Sequence, residues 1–141
     1  MSTSTRGSVA VVGVAESDLG QCAPNTSPVD LMAQATVRAL DDAGLELSDV
    51  DGLFSSATQV RFAPMLLAEY LRIKPKYFDG TIIGGSSFMT HVAHAHAALE
   101  HGLCDVALVV YGSTQRSVSR AVASSREYNH HESPFRPFLP A

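Results

Sequence analysis

The chain has 141 residues, 45 % of them hydrophobic and 17 % charged, the make-up of one globular unit with a buried core. Ten Lys and Arg against fourteen Asp and Glu leave a net charge of −4, with no basic cluster to track a phosphate backbone, which argues against nucleic-acid binding. No apolar run reaches the roughly 18 residues that a membrane-spanning helix needs. The first seven residues lack the order of a secretory signal, and Cys22 and Cys104 sit in no metal-ligand or CxxC spacing. A reducing cytoplasm is the expected setting.

In chain order, Ser8–Val14 (SVAVVGV) is a β-branched run of strand length, predicted to be a strand covered on both faces. A strand ending in Gly13 also brings dinucleotide folds to mind. GxGxxG is missing, however, and no helix starts before Ser27, so that alternative is set aside. Ser27-Pro28-Val29-Asp30 is a helix start, with a capping hydroxyl, a proline suited to the first turn and an acid at the positive end of the dipole. Apolar positions from Leu31 to Ala43 recur at helical spacing, and Gly44 is a natural stop.

Leu53-Phe54 is a short apolar stretch. Pro64–Ile73 has helical composition, with Leu66, Leu67, Tyr70 and Leu71 as its expected apolar side and Pro75 as its end. Tyr77–Ile83 is predicted as a second strand, running into Gly84-Gly85-Ser86-Ser87. A helix from there to His101 would carry Phe88, Val92, Ala95 and Leu99 on one face. Asp105–Tyr111 (DVALVVY) reads as a buried strand. Strands alternating with helices predict an α/β fold with a largely parallel sheet covered by helices. Residues 1–112 are expected to form the domain. Residues 113–141, Ser-rich and then Pro-punctuated, would begin a loop region.

The chemistry is expected at Gly84-Gly85-Ser86-Ser87, between strand and helix. Two glycines permit a sharp turn and close approach of a ligand to the backbone, and the helix tip supplies unpaired N–H donors and partial positive charge. Such a turn can hold a nucleophile or stabilise an oxyanion. The alternative is that Ser86 or Ser87 only caps the helix. His91, His94 and His101 share a helical stripe and are read as packing or surface residues. His101 lies about 10 Å further along, too far to share an ion with the other two. His96 falls on another face, and His130 and His131 receive no role.

The run IIGGSSFMTHVAHAHAALEHGLCDVALVVYGSTQRS resembles the central strand–elbow–helix–strand of thiolases, in particular the sterol-carrier-protein-x and lipid-transfer-protein-like branch. VAVVGVAESDLG, SPVDLMAQATVRALDDAGLELSDVDGLF and ESPFRPFLPA resemble the same branch, in the expected order along most of the chain. The resemblance implies the N-terminal half of a thiolase-like fold. Where thiolases carry a cysteine, Ser86 stands here, with Gly84, Gly85 and Ser87 as substrate-binding neighbours. A serine hydroxyl has little tendency to ionise near neutral pH, so chemistry through an acyl-cysteine is not expected. Cys104 is no substitute, because it lies about 27 Å away along the helix and reads as a small buried hydrophobe.

The resemblance further implies an acyl-CoA substrate in lipid or steroid degradation. Coenzyme A would enter only as part of that substrate, with no other cofactor and no metal. The implied reaction is retro-aldol carbon–carbon cleavage, with acyl transfer or non-catalytic acyl-CoA binding as alternatives. A lone half of the fold would leave an apolar face uncovered. A homodimer or hetero-oligomer is therefore expected, with an OB-fold-containing partner implied, and the 141 residues alone are expected to be inactive.

Overall fold

Ser27 opens the first helix by the reciprocal cap its neighbours encode. The Asp30 backbone N–H donates to Ser27 Oγ at 3.2 Å, and the Ser27 N–H donates to an Asp30 carboxylate oxygen at 2.8 Å. Helix α1 then runs Pro28–Ala43 and ends at Gly44, whose φ of 67° is the left-handed stop that glycine adopts without penalty. The computed structural model describes residues 7–117. Within them follow a 3-10 turn (Leu47–Asp49), strand β1 (Gly52–Ser55), helix α2 (Ala63–Leu71), strand β2 (Tyr77–Asp79), helix α3 (Ser87–Glu100) and strand β3 (Ala107–Val110).

The three strands form one parallel sheet in the order β2-β1-β3, with Gly52 opposite both Tyr77 and Ala107. Parallel strands are joined by helices that lie on the sheet faces, and the side-chain alternation divides the core accordingly. Leu53, Leu108 and Val110 face α1 and α2, packing with Met32, Leu40, Leu67 and Leu71. Phe54, Ala107 and Val109 face α3, packing with Ala95, Ala98 and Cys104. The result is an α/β/α sandwich, the expected class. Its central strand is built on Leu53-Phe54, a stretch too short for its composition to mark it as a strand.

The predicted strand at Ser8–Val14 is not formed. The segment is irregular and three of its four valines face outward, with Val11, Val12 and Val14 at 80, 63 and 72 % exposure. It runs along α1 instead. The Val14 N–H donates to Asp42, Arg38 donates to the Glu16 carbonyl and pairs with Asp18, and Ser8 Oγ donates to Glu100. Gly13 permits that path. A Cβ there would collide with the Ala39 carbonyl oxygen and come within 2.9 Å of the Ala43 Cβ. β-Branched composition signals a strand only where a neighbouring strand supplies backbone partners, and no strand among the described residues is paired in the sheet with this segment.

Two helical faces also differ from expectation. On α2 the buried residues are Ala63, Pro64, Leu67, Ala68 and Leu71, whereas Leu66 and Tyr70 are about half exposed. Tyr70 uses its hydroxyl to donate to Asp30 across to α1. The helix ends at Arg72, in left-handed conformation, ahead of Pro75. On α3 the buried stripe is Ser87, His91, Ala95 and Ala98, and Val92 is half exposed. The second strand stops at Asp79, four residues early, because the Asp79 carboxylate accepts from the N–H and hydroxyl of Thr81 and turns the chain.

At the amino-terminal ends of the strands, Asp51 ties the sheet together. Its carboxylate accepts from the N–H groups of Asp105 and Val106, each at 2.8 Å, and from Lys76 Nζ at 2.9 Å. Burial pushes its carboxyl up, but those donors outweigh burial and hold it below the usual carboxylate value. A carboxyl depressed by folding stabilises the fold above its unfolded pKa, about 3.9, and loses that contribution as pH falls through the lower folded value. Asp51→Ala should therefore cost about 2–3 kcal/mol at pH 7, with the gap narrowing below about pH 4. Urea unfolding of both proteins at the two pH values checks it, and a gap that does not depend on pH would refute the assignment.

Candidate active site

In parallel α/β sheets, clefts open beyond the carboxyl ends of the strands. Here that end carries Ser55 at the close of β1 with Ser56 after it, the Gly80–Ser86 connection after β2, and Gly112-Ser113-Thr114 after β3. Gln59 ties two of these loops together. Its amide oxygen accepts from Ser113 Oγ (2.9 Å) and the Thr114 N–H (3.0 Å), and its amide nitrogen donates to Thr114 Oγ1 at 3.1 Å.

The glycine-rich connection forms the tight bend expected of it. Gly84 has φ 87°, and Gly84, Gly85 and Ser86 are exposed at the amino-terminal tip of α3. Ser86 occupies the cap position without a side-chain cap bond, so its hydroxyl is not spent on the helix. Ser87 does the internal work. It is 1 % exposed, donates to the Gly84 carbonyl at 2.6 Å and accepts from the Ile83 N–H at 3.0 Å, closing the bend from inside. The two serines that the sequence leaves as alternatives thus divide the roles: Ser87 holds the turn and Ser86 is presented. Gly84, Gly85 and Ser86 come together as one exposed surface, while Ser87 is sealed beneath it.

Under the bend, α3 supplies further polar anchors. His91 is fully buried, and its Nε2 lies 3.0 Å from the Thr81 carbonyl. His94 Nδ1 makes a short contact with Asp79, the acid that also holds Thr81. Burial raises the Asp79 carboxyl, yet hydrogen bonds from Thr81 and from His94 leave it below the ordinary carboxylate value. Of the remaining histidines, His101 bonds the Ala97 carbonyl and His96 pairs with Glu100. The sequence places His91 and His94 on one stripe but gives no sign that the stripe faces the loop. That depends on which side of α3 meets the sheet.

Cys104 is 2 % exposed, and burial raises its thiol pKa, the opposite of an activated nucleophile. Cys22 is half-buried, with its backbone N–H donating to Ser117 Oγ. Among the described residues no three His, Cys, Asp or Glu side chains gather to hold a metal ion. No described helix is long and apolar enough to cross a membrane. His130 and His131 lie outside the described residues. An open groove of about 710 Å³ lies at the opposite end of the sheet, lined by Asp51, Lys76 and Asp105 among others. These charges are already paired with one another, so the groove is the weaker candidate.

No protein-family model matches the chain. A curated protein of Mycobacterium tuberculosis, 17-hydroxy-3-oxo-4-pregnene-20-carboxyl-CoA lyase, is 32 % identical over 116 residues, covering 81 % of this chain and 29 % of that protein. Among solved structures, the Ltp2-ChsH2(DUF35) aldolase superposes with a TM-score of 0.66 at 27 % identity, over 82 % of this chain and 32 % of that one. Cerulenin-bound OleA of Xanthomonas campestris superposes with a TM-score of 0.66 at 20 % identity, over 74 % and 33 % respectively, a likeness of fold. The chain spans about a third of the length of the proteins it matches.

Proposed function

The chain belongs to the thiolase superfamily, and from that premise we propose that the protein acts on acyl-CoA thioesters in lipid or steroid degradation, cleaving a carbon–carbon bond by retro-aldol chemistry without a cysteine nucleophile. The observation that carries this is the presented tip of α3, where Ser86 stands exposed between a glycine pair and a buried serine clamp. A helix tip there offers backbone N–H donors and partial positive charge to a developing oxyanion, while a serine without a positioned base makes a poor nucleophile. The two named lyase and aldolase relatives support the same reading.

Retro-aldol cleavage asks for that combination. A base removes the proton of the β-hydroxyl, the bond between the α and β carbons breaks, and its electron pair passes into the thioester as an enolate. Protonation of the α carbon then yields a shortened acyl-CoA and a carbonyl product. The elbow amides would serve the enolate oxygen, with Gly84 and Gly85 letting the thioester approach the backbone. Coenzyme A takes part only as the carrier of the acyl group. A working assembly of more than one chain, as a homodimer or with an OB-fold-containing partner, is part of the proposal. The two-component name of the aldolase relative supports it.

The test is mass spectrometry of the protein with its partner after incubation with a β-hydroxyacyl-CoA. The expected result is two cleavage products and no added mass on the peptide containing Ser86. An acyl adduct on Ser86 would replace the proposal with acyl transfer. Binding without turnover would reduce the protein to an acyl-CoA-binding subunit.

A further inference from the structure

His91 presents an energetic puzzle. It is 0 % exposed, on a helix face otherwise lined by Ala95, Ala98 and Ser87, and its Nδ1 is buried without a hydrogen-bond partner. A buried polar atom left unpaired costs stability, and an apolar side chain at this position would avoid that cost. What the histidine gains is its other nitrogen. The Thr81 carbonyl can only accept, so Nε2 carries the hydrogen and donates to it at 3.0 Å.

That bond belongs to a series. Ser87, His91 and His94, at spacings of four and three on α3, each bind the segment that leads into the bend. Ser87 engages Ile83 and Gly84, His91 engages Thr81, and His94 engages Asp79. Residues at this spacing lie along one side of a helix, so the three bonds zip the incoming chain onto α3 from Asp79 to Gly84. The outer two positions have their polar groups engaged without an orphan. The central one retains its bond despite an unpaired nitrogen. Phe88 packs beside it, its ring near perpendicular to the His91 ring at a centroid distance of 5.8 Å and 4.6 Å from the Tyr111 ring centroid.

We infer that His91 is the positioning residue of the elbow: by holding the Thr81 carbonyl it fixes the path of Ile82–Gly85 and so the direction in which the α3 tip presents its donors. This rests on the acyl-CoA reading of the site only for its functional consequence. The path of the bend itself does not depend on what the site binds.

Three substitutions separate the bond from packing. His91→Gln keeps a nitrogen donor at the distance of Nε2. His91→Asn places its amide too short to reach Thr81, and His91→Leu fills the volume with no donor. Hydrogen exchange of the Ile83 amide, which donates to Ser87 Oγ inside the bend, should quicken in the full chain by about tenfold in the Asn and Leu variants, the worth of one such bond, and remain close to wild type in Gln. Exchange in β1 should not move. Octanoyl-CoA affinity, measured by calorimetry, should follow the same order. If all three variants behave like wild type, or if all loosen the bend and β1 together, His91 only packs and the inference fails. Should the wild-type protein assembled with its partner not bind octanoyl-CoA, that counts against the acyl-CoA reading, and the exchange measurement still decides the role of His91.

Discussion

Phe54→Ala is expected to lower the free energy of unfolding by about 3–5 kcal/mol, because it truncates the largest fully buried side chain among the described residues. Phe54 is 0 % exposed in the middle of the central strand, and its ring faces α3. Its fully buried neighbours are small, Ala95, Ala98 and Cys104, with the partly buried Leu99 and Val109 and the tilted ring of Tyr77, at a centroid distance of 5.6 Å, completing the cluster. Small neighbours have no atoms to spare for filling a vacated ring, so the lost burial is compounded by a cavity that cannot collapse. Urea denaturation gives the number. Val92→Ala on the half-exposed face of α3 should by comparison stay within about 0.5 kcal/mol of wild type. A cost below about 1 kcal/mol for Phe54→Ala would mean that α3 does not close that face of the sheet.

Where local chemistry decides the structure, the sequence can be read directly. Helix α1 is such a case: Ser27, Asp30 and Gly44 set its ends by bonds within a few residues, and both ends fall where those residues put them. The turn at Gly84 is another, since its φ of 87° needs glycine whatever surrounds it. The features that a linear reading misses depend on distant partners. Ser8–Val14 has a strand's composition but no strand among the described residues takes it into the sheet, so the same residues run irregularly along α1 with Val11, Val12 and Val14 exposed. The central strand escapes notice because Leu53 and Phe54 make too short a run to show a period, although the sheet is built around them. The buried faces of α2 and α3 overlap the expected ones, sharing Leu67 and Leu71 on α2 and Ala95 on α3, but are rotated so that Leu66, Tyr70 and Val92 turn outward. On α3 that rotation exchanges Val92 for His91 in the interior. The candidate site is therefore legible in its backbone, at Gly84-Gly85-Ser86, but not in the polar stripe that holds it, which is defined only once α3 has docked on the sheet.

Ser87→Ala should cost about 1–3 kcal/mol, while Ser86→Ala should change stability by no more than about 0.5 kcal/mol, although the two residues are adjacent and chemically identical. The difference lies in what each hydroxyl touches. Ser87 Oγ is buried inside the bend, and removing it takes the acceptor from the Ile83 N–H and one of two donors from the Gly84 carbonyl, which keeps only the Ser87 N–H at 3.1 Å. Ser86 makes no cap bond and faces solvent, so its hydroxyl can exchange protein for water at little cost. Thermal unfolding of both variants resolves the order. The Ser87 variant should in addition lose hydrogen-exchange protection at Ile83 while retaining it along the body of α3, because the helix beyond its first turn is held by Ala95 and Ala98 against the sheet. The reverse order, with Ser86→Ala the costlier change, would mean that Ser86 is consumed as a helix cap. A tip whose serine is occupied in that way would not present the surface on which the proposed thioester chemistry depends.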